Sequence, residues 1–283
     1  MRSILTIIIL MALLVSPLSA HEPPGTLQQI QKTGKVKIGY RESQPPMSFL
    51  RKDGIPDGYS IDLCQHIVAG IESKIGKEIE IEYVPVTAED RFKALSEYRI
   101  DILCGSTTKT LSRGELVDFT ALTFATGASF MTLKGTQIMN NFNGKKIGVV
   151  KGTTTGVSVE ELFNETGVDA EIVLLNSTAD GLSALEKEKI DAFAADQVVL
   201  IGLALNAADP ENYSILPNLF SYEPFALAVR RNDADFRLVA DRVISHLYRT
   251  KEILPIYNKW FGKFSSKMPS AFEAIIKINS TPE

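Results

Sequence analysis

Short strand-like runs alternate with helix-like segments along this chain, and that alternation limits the folds open to it. The run KVKIGY (35–40) is rich in β-formers, and residues 58–76 repeat apolar side chains at helical spacing. The run IEIEYVPV (79–86) alternates as a strand does, and a short helix is indicated around Phe92. DILCG (101–105) has the continuous apolar character of a strand buried in a parallel sheet. Such alternation predicts βαβ units with right-handed crossovers.

The same order restarts in the second half of the chain. GKKIGVVKGTTTG (144–156) echoes GKVKIGYRES (34–43), because each has Gly-Lys, a short β-run and a polar loop with a cation. A helix, a strand, a second helix and a further strand follow, ending at Asp196. We therefore predict two α/β lobes of like construction. The extended runs 118–135 and 219–231 are too long for ordinary turns and are predicted to form a two-strand hinge.

This pattern predicts three parts. Residues 1–20 form a signal peptide, residues 21–124 plus 225–283 form lobe one, and residues 125–224 form lobe two. The signal peptide is indicated by Arg2, an apolar stretch too short to span a bilayer of about 30 Å, and small residues up to Ala20. We therefore expect an exported, periplasmic protein.

Charge and cysteine content narrow the function. Without the first 20 residues, 29 basic residues face 34 acidic ones, and no Lys/Arg-rich run is present, which argues against a nucleic-acid partner. Cys64 and Cys104 are the only cysteines. Export permits a disulfide between them, but each also fits a small buried apolar residue, and the sequence leaves both alternatives open.

Polar residues follow the predicted strands where ligands bind in open α/β sheets, beyond the carboxyl ends of the strands. Ser106 and Thr108 point the same way in an extended segment, and Thr110 is placed to cap a turn that brings Arg113 back towards them. A guanidinium binds a carboxylate through two hydrogen bonds. Asp196, just past another apolar strand, is placed to face an ammonium group.

KGTTTG (151–156) offers N–H groups and hydroxyls at a helix start, which suits an anion. Together these loops predict a clamp for an α-amino acid. The alternatives are structural: Thr110 and Asp196 as helix caps, Arg41 and Arg91 as surface cations, and Arg113 as half of a salt bridge. The common position of the loops at strand ends favours the clamp.

Four stretches resemble the periplasmic solute-binding proteins of polar amino-acid ABC importers, family 3: DGYSIDLC (57–64), RIDILCGSTTKTLSR (99–113), VDFTALTFATG (117–127) and KGTTT (151–155). The resemblance covers nearly the whole chain after residue 20. It implies an α/β, two-lobe periplasmic-binding-protein fold of type II, with two extended hinge strands between lobes that close on a solute.

The resemblance also implies roles for individual residues. Ser106, Thr108 and Arg113 would bind the α-carboxylate, Thr153 or Thr154 would meet it from the other lobe, and Asp196 would bind the α-ammonium.

YRES, TAEDR and CGSTT are further similar to motifs of the glutamate/aspartate-binding members, which puts Arg41 and Arg91 near the side-chain carboxylate. The sequence departs from those members at Ala88 and Thr178, and the apolar run FALAV stands where Cys104 would have its usual mate.

We therefore expect a monomer that binds an α-amino acid, with glutamate or aspartate favoured, and delivers it to a membrane ABC permease. No cofactor, metal site or catalytic residue is predicted, and the protein is not expected to be an enzyme. One alternative is a periplasmic dehydratase of the same fold acting on a cyclic pre-aromatic acid, which needs a general acid such as Asp196 or Glu42. Another is a soluble co-receptor.

Overall fold

The computed structural model describes residues 25–136, 138, 141–264 and 267–283. The predicted signal peptide lies outside the described residues. The strands are, in chain order, β1 (Lys35–Tyr40), β2 (Ser43–Gln44), β3 (Ser48–Leu50), β4 (Pro56–Asp57), β5 (Glu80–Pro85), β6 (Ile102–Cys104), β7 (Val117–Thr126), β8 (Ala128–Leu133), β9 (Lys146–Val150), β10 (Glu171–Leu175), β11 (Ala192–Asp196), β12 (Tyr213–Ile215) and β13 (Glu223–Arg230). The helices are α1 (Thr26–Thr33), α2 (Tyr59–Ile75), α3 (Arg91–Ser96), α4 (Thr154–Thr166), α5 (Thr178–Glu186), α6 (Gln197–Asn206), α7 (Ala234–Thr250), α8 (Ile253–Phe261) and α9 (Ser270–Asn279).

Two five-stranded mixed sheets organise the chain. The first has the order β5-β1-β6-β13-β7, and the second has the order β10-β9-β11-β8-β12. In each sheet one strand lies between two parallel neighbours: β1 between β5 and β6, and β9 between β10 and β11. A long antiparallel strand then joins each set, β13 in the first sheet and β8 in the second. The predicted pair of α/β lobes is confirmed, and each lobe is named first or second after its sheet.

The chain crosses between the sheets at two adjacent places. Gly127 alone separates β7 of the first sheet from β8 of the second. The return crossing runs through residues 216–222 into β13, which pairs antiparallel with β7 so that Glu223 lies opposite Thr126. A Cβ on Gly127 would be 2.3 Å from the Ser221 carbonyl oxygen, so only glycine lets the two crossing segments approach this closely.

One large apolar cluster contains residues of both lobes, and each lobe has a smaller cluster of its own. Helix α2 buries the predicted stripe, including Ile61, Ile67 and Ile71, against the first sheet, and helix α7 packs on α2 and β7. The large cluster contains stacked or edge-on aromatic rings of Tyr59, Phe124, Phe225, Phe261 and Phe272. Within the described ranges, no helix is long and apolar enough to span a bilayer.

A disulfide joins Cys64 of α2 to Cys104 at the end of β6. Both residues are fully buried. Of the two alternatives that the sequence left open, the structure has the bond, and Cys104 therefore has its mate in α2 instead of near the second hinge strand. The bond anchors β6 where it runs into the loop that carries Ser106, Thr108 and Arg113.

Candidate functional site

The loops that follow β1, β6, β9 and β11 meet in a cleft between the lobes. Arg91 Nη2, from the first lobe, donates a hydrogen bond to the Gly152 carbonyl oxygen of the second lobe over 3.1 Å. The hydroxyl oxygens of Thr108 and Thr154, also from opposite lobes, are 3.3 Å apart. The segments after β6 and β9 therefore lie together, as the strand-end rule predicts.

The lobes also touch around the rim of this cleft. The Thr178 hydroxyl donates to the Ser43 main chain and lies 2.9 Å from the Ser43 hydroxyl. Gly202 of α6 packs so closely on the first lobe that a Cβ there would lie 2.1 Å from the Pro45 carbonyl oxygen. Gly152 has φ +70°, and its Cβ would lie 3.1 Å from the Ala88 carbonyl oxygen. The structure is thus the closed form of the two-lobe fold.

Three guanidinium groups lie in the cleft. Arg41 is 6% exposed and Arg91 is 3% exposed, so the hypothesis that both are surface cations is wrong. Arg113 is partly buried and donates from Nη1 to the Thr108 carbonyl oxygen over 2.9 Å. The guanidinium carbons of Arg91 and Arg113 lie 4.4 Å and 5.6 Å from the centre of the Phe92 ring, within the range of a cation–π contact.

Burial, and for Arg91 also repulsion from the other two arginines, disfavours the charged form of these guanidinium groups. Burial holds the pKa of Arg91 well below its ordinary value, and the charges of Arg113 and Arg41 lower it further. Burial lowers the pKa of Arg41 to about 10, against the opposing effect of Asp90 and Asp196. A buried charge without a full set of partners is costly, and an incoming anion would relieve that cost.

Asp196 is the clearest unpaired anion in the cleft. It stands at the N-cap position of α6, but its side chain makes no capping hydrogen bond, so the interpretation of this carboxylate as a structural cap fails. Its Oδ1 atom is buried without a hydrogen-bond partner. Burial, followed by repulsion from Glu223, raises the pKa of Asp196 to about 8, although Arg113, Arg91 and Arg41 oppose the shift.

The hydroxyl groups already have protein partners. Ser106 donates to Gln44 Oε1 over 2.9 Å. Thr108 and Thr154 both donate to Glu223 Oε2, over 2.5 Å and 2.7 Å.

Thr110 and Thr153 have local structural roles. The Thr110 hydroxyl accepts from the Arg113 N–H over 3.1 Å, as the sequence predicts for its cap. The Thr153 hydroxyl donates to the Val150 carbonyl oxygen and caps α4 by accepting from the Gly156 N–H. Of the two predicted threonines of the second lobe, Thr154 therefore contacts the first lobe.

Sequence reasoning missed Glu223, Gln44 and Phe92. Glu223 had a signal, since a carboxylate inside the apolar hinge run FSYEPFALAV needs a buried partner. Gln44 follows Arg41 closely in the sequence, and nothing in the neighbouring residues indicates that its side-chain oxygen accepts a hydrogen bond from Ser106. Phe92 follows Arg91 in the sequence, but its position on the predicted helix indicates only that it faces the core.

The charges of the site do not balance. Arg41, Arg91 and Arg113 face Asp196 and Glu223, while Asp90 is paired with Arg99 at 3.2 Å. With Asp196 ionised, one positive charge is in excess. Arg91 Nη1 and Asp196 Oδ1 are buried polar atoms of opposite charge, and neither has a hydrogen-bond partner in the described part of the chain. Nowhere in the described ranges do three or more His, Cys, Asp or Glu side chains group as a metal site requires. Two lobes closed around such a set define a protein that encloses a small charged solute.

Comparison with known proteins agrees with this class. A family model for bacterial extracellular solute-binding proteins, family 3, matches residues 36–263. The chain is 30% identical over 263 residues to the L-glutamate/L-aspartate-binding protein of Pseudomonas aeruginosa, with 92% of this chain and 87% of that protein covered. It is 30% identical over 262 residues to the glutamate/aspartate import solute-binding protein of Salmonella typhimurium, with 88% and 87% covered.

A solved structure, an ABC transporter periplasmic binding protein from Brucella ovis with glutathione bound, is similar at a TM-score of 0.74 and 26% identity. The match covers 82% of this chain and 73% of that one. The chain therefore belongs to the bacterial extracellular solute-binding proteins, family 3, and has the two-lobe fold that the resemblance implied.

Proposed function

We propose that this protein binds an acidic α-amino acid, glutamate or aspartate, in the periplasm and delivers it to a membrane ABC permease. One observation carries the choice of an acidic ligand: the buried guanidiniums of Arg41 and Arg91 and the partly buried one of Arg113 face two carboxylates, and Arg91 Nη1 lacks a partner. Glutamate and aspartate carry one net negative charge at neutral pH, which offsets the excess. The names of the P. aeruginosa and S. typhimurium relatives support the same choice.

Each charged group of the ligand has a proposed partner. Arg113 binds the α-carboxylate, in a subsite lined by the 106–108 loop and by the main chain around Thr153 and Thr154 at the start of α4, where helix N–H groups favour an anion. Asp196 Oδ1 accepts from the α-ammonium. Arg41 and Arg91 bind the side-chain carboxylate.

The free energies of the proposed contacts are consistent with selective ligand binding. Hydrogen bonds to charged groups contribute about 1.5–3 kcal/mol each. Four or five of them, less the costs of ordering and association, leave about 8 kcal/mol, which corresponds to micromolar affinity. Glutamine would leave Arg41 and Arg91 buried without a carboxylate, at a cost on the order of 3–5 kcal/mol.

A thermal-shift panel of the twenty amino acids on protein starting at residue 21 tests the function. A ligand at a hundred times its dissociation constant adds about 2.7 kcal/mol of stability, which is an easily measured shift. We expect glutamate and aspartate to raise the melting temperature, and glutamine and asparagine to raise it much less. Equal shifts with glutamate and glutamine would contradict an acidic ligand.

Two arginine variants separate the proposed roles. Arg113→Ala should abolish binding of every amino acid, because all share the α-carboxylate. Arg91→Ala should weaken glutamate more than any neutral ligand. Arg91 also bonds to Gly152 across the cleft, and loss of that contact affects all ligands alike, so the glutamate-to-glutamine affinity ratio from calorimetry is the proper readout. An unchanged ratio would refute the role of Arg91.

The dehydratase remains the second candidate, for one reason. A general acid must be protonated at working pH, and the pKa of Asp196 is raised to about 8 by burial and by Glu223. Glu42, the other carboxylate considered, is exposed to solvent. Turnover of a cyclic pre-aromatic acid by the protein, together with no thermal shift from any amino acid, would favour the enzyme over the binding protein.

A further inference from the structure

A buried carboxylate at the hinge is bonded to both lobes. Glu223 begins β13, is 1% exposed and lies beside the two crossing segments. Its Oε2 accepts from Thr108 in the first lobe and from Thr154 at the start of α4 in the second. Its Oε1 accepts from Ser221 over 2.7 Å. A single oxygen atom thus connects the two lobes directly beside the cleft.

Counting protons shows what these bonds do to the hydroxyls. A threonine hydroxyl has one proton and two lone pairs. When both protons point to Glu223 Oε2, neither Thr108 nor Thr154 has a proton left for a ligand anion, and each offers only lone pairs. The two hydroxyl oxygens, which are 3.3 Å apart, then act only as hydrogen-bond acceptors. Together with Asp196, which faces the same cleft, they attract a cationic group.

We propose that Glu223 is a positioning residue that couples closure of the lobes to the ligand's amino group. By accepting one hydroxyl hydrogen bond from each lobe, it stabilises the closed arrangement and turns Thr108 and Thr154 into acceptors for an ammonium. Carboxylates without an amine are thereby discriminated against, even when the arginines could bind both of their acid groups. The ligand selectivity rests on the proposed function, whereas the link between the lobes does not.

The charge of Glu223 also reaches the other groups of the cleft. It opposes the effect of burial on the pKa of Arg113 and raises the pKa of Asp196. Arg41 and Arg91 act on Asp196 in the opposite direction. Neutralising Glu223 should therefore favour the charged form of Asp196, so a loss of amine selectivity in that variant would come from the hydroxyls and not from a weakened Asp196.

The variant Glu223→Gln tests the proposal, since it keeps the shape of the side chain but removes the charge that holds both hydroxyl protons. Calorimetry compares L-glutamate with glutarate, which has the same two carboxylates and no amine. We expect Glu223→Gln to bind glutamate at least tenfold more weakly and glutarate almost unchanged. Thr154→Val should act in the same direction, and combining the two changes should cost little more than either alone.

Ser221→Ala provides the matched control. It removes the bond to Glu223 Oε1 and the bond that Ser221 Oγ accepts from the Ala128 N–H over 3.0 Å, and it leaves Thr108 and Thr154 bonded to Oε2. We expect its glutamate-to-glutarate ratio to equal that of the unmodified protein. If Glu223→Gln weakens both ligands equally, or leaves both unchanged, the proposed coupling to the amine is wrong.

A measurement without ligand keeps the two proposals separate. Small-angle scattering of the ligand-free proteins reports the balance of open and closed forms, and Glu223→Gln should be more open than Ser221→Ala. Equal dimensions in the two variants would overturn the role of Glu223 in closure whatever the protein binds. Failure of the unmodified protein to bind any acidic amino acid would count against the proposed function, while the scattering result would still decide the role of the hinge carboxylate.

Discussion

Two residues of the cleft lower the stability of the ligand-free fold. Arg91 and Asp196 each have a buried polar atom with no hydrogen-bond partner among the described residues, and each such atom costs about 1–3 kcal/mol. Neither side chain is needed as a cap or a core filler. Sites that bind charged solutes commonly give up stability in this way.

The carboxyl of Asp196 should make ligand binding depend on pH. Its pKa is raised to about 8 by burial and by Glu223, so it holds a proton at pH 7 in the ligand-free closed protein. A ligand ammonium favours the charged carboxylate and expels that proton. We expect affinity to increase as pH rises towards about 8, and calorimetry at pH 7 in buffers of different ionisation enthalpy to show proton release. A binding enthalpy independent of the buffer would contradict this prediction.

Asp196 should also make the free energy of unfolding depend on pH. Because the pKa of Asp196 is higher in the folded protein than the ordinary value of 3.8, the folded state binds more protons than the unfolded state between about pH 4 and pH 8. The contribution of Asp196 to the free energy of unfolding therefore falls as pH rises through that window. In Asp196→Asn, used as the control for the calorimetry, this part of the pH dependence should disappear.

At the scale of helices and strands, local pattern was a good guide. Helix α2 followed from an apolar stripe on one face, and β6 followed from a continuous apolar run, because each signal lies within one element. The strand-end rule then predicted that Arg113 and Asp196 face one cleft.

The features that the sequence did not predict depend on contacts between distant segments of the chain. Glu223 bonds to Thr154 and Thr108, which are 69 and 115 residues away in the chain. Arg91 likewise donates to the Gly152 carbonyl oxygen, 61 residues away, in a contact between the lobes that periodicity does not encode. The pairing of Cys64 with Cys104 spans 40 residues, and two cysteines alone did not decide it.

Removing the disulfide should test its contribution to the link between α2 and β6. The bond closes a loop of 40 residues, for which the chain-entropy argument gives about 4 kcal/mol and measured losses are commonly about 2–5 kcal/mol. We expect Cys64→Ala/Cys104→Ala to lower the free energy of unfolding in urea by about 2–4 kcal/mol. Reduced unmodified protein, measured in the same denaturant, is the control and should match the double variant. Equal midpoints for the oxidised protein and the double variant would show that the bond adds no stability.

For the whole molecule, function depends on how tightly the lobes meet around the solute. A ligand that contacts both lobes shifts the population towards the closed form by no more than its extra affinity for that form. Any change that prevents the rim from closing should therefore lower affinity without touching the ligand. Gly202 offers such a position, because it belongs to helix α6 of the second lobe and packs against Pro45 of the first.

Gly202→Ala should separate closure from folding. The added Cβ would lie 2.1 Å from the Pro45 carbonyl oxygen in the closed form, whereas within α6 alanine is favoured over glycine by about 1 kcal/mol. We expect ligand affinity to fall by tenfold or more and the ligand-bound protein to be larger in small-angle scattering, with no loss of thermal stability in the ligand-free protein. Gly156→Ala is the matched control, because it adds the same methyl to a second-lobe helix where the nearest atom is 3.7 Å away. If Gly202→Ala binds and compacts like the control, contact at this rim does not limit closure.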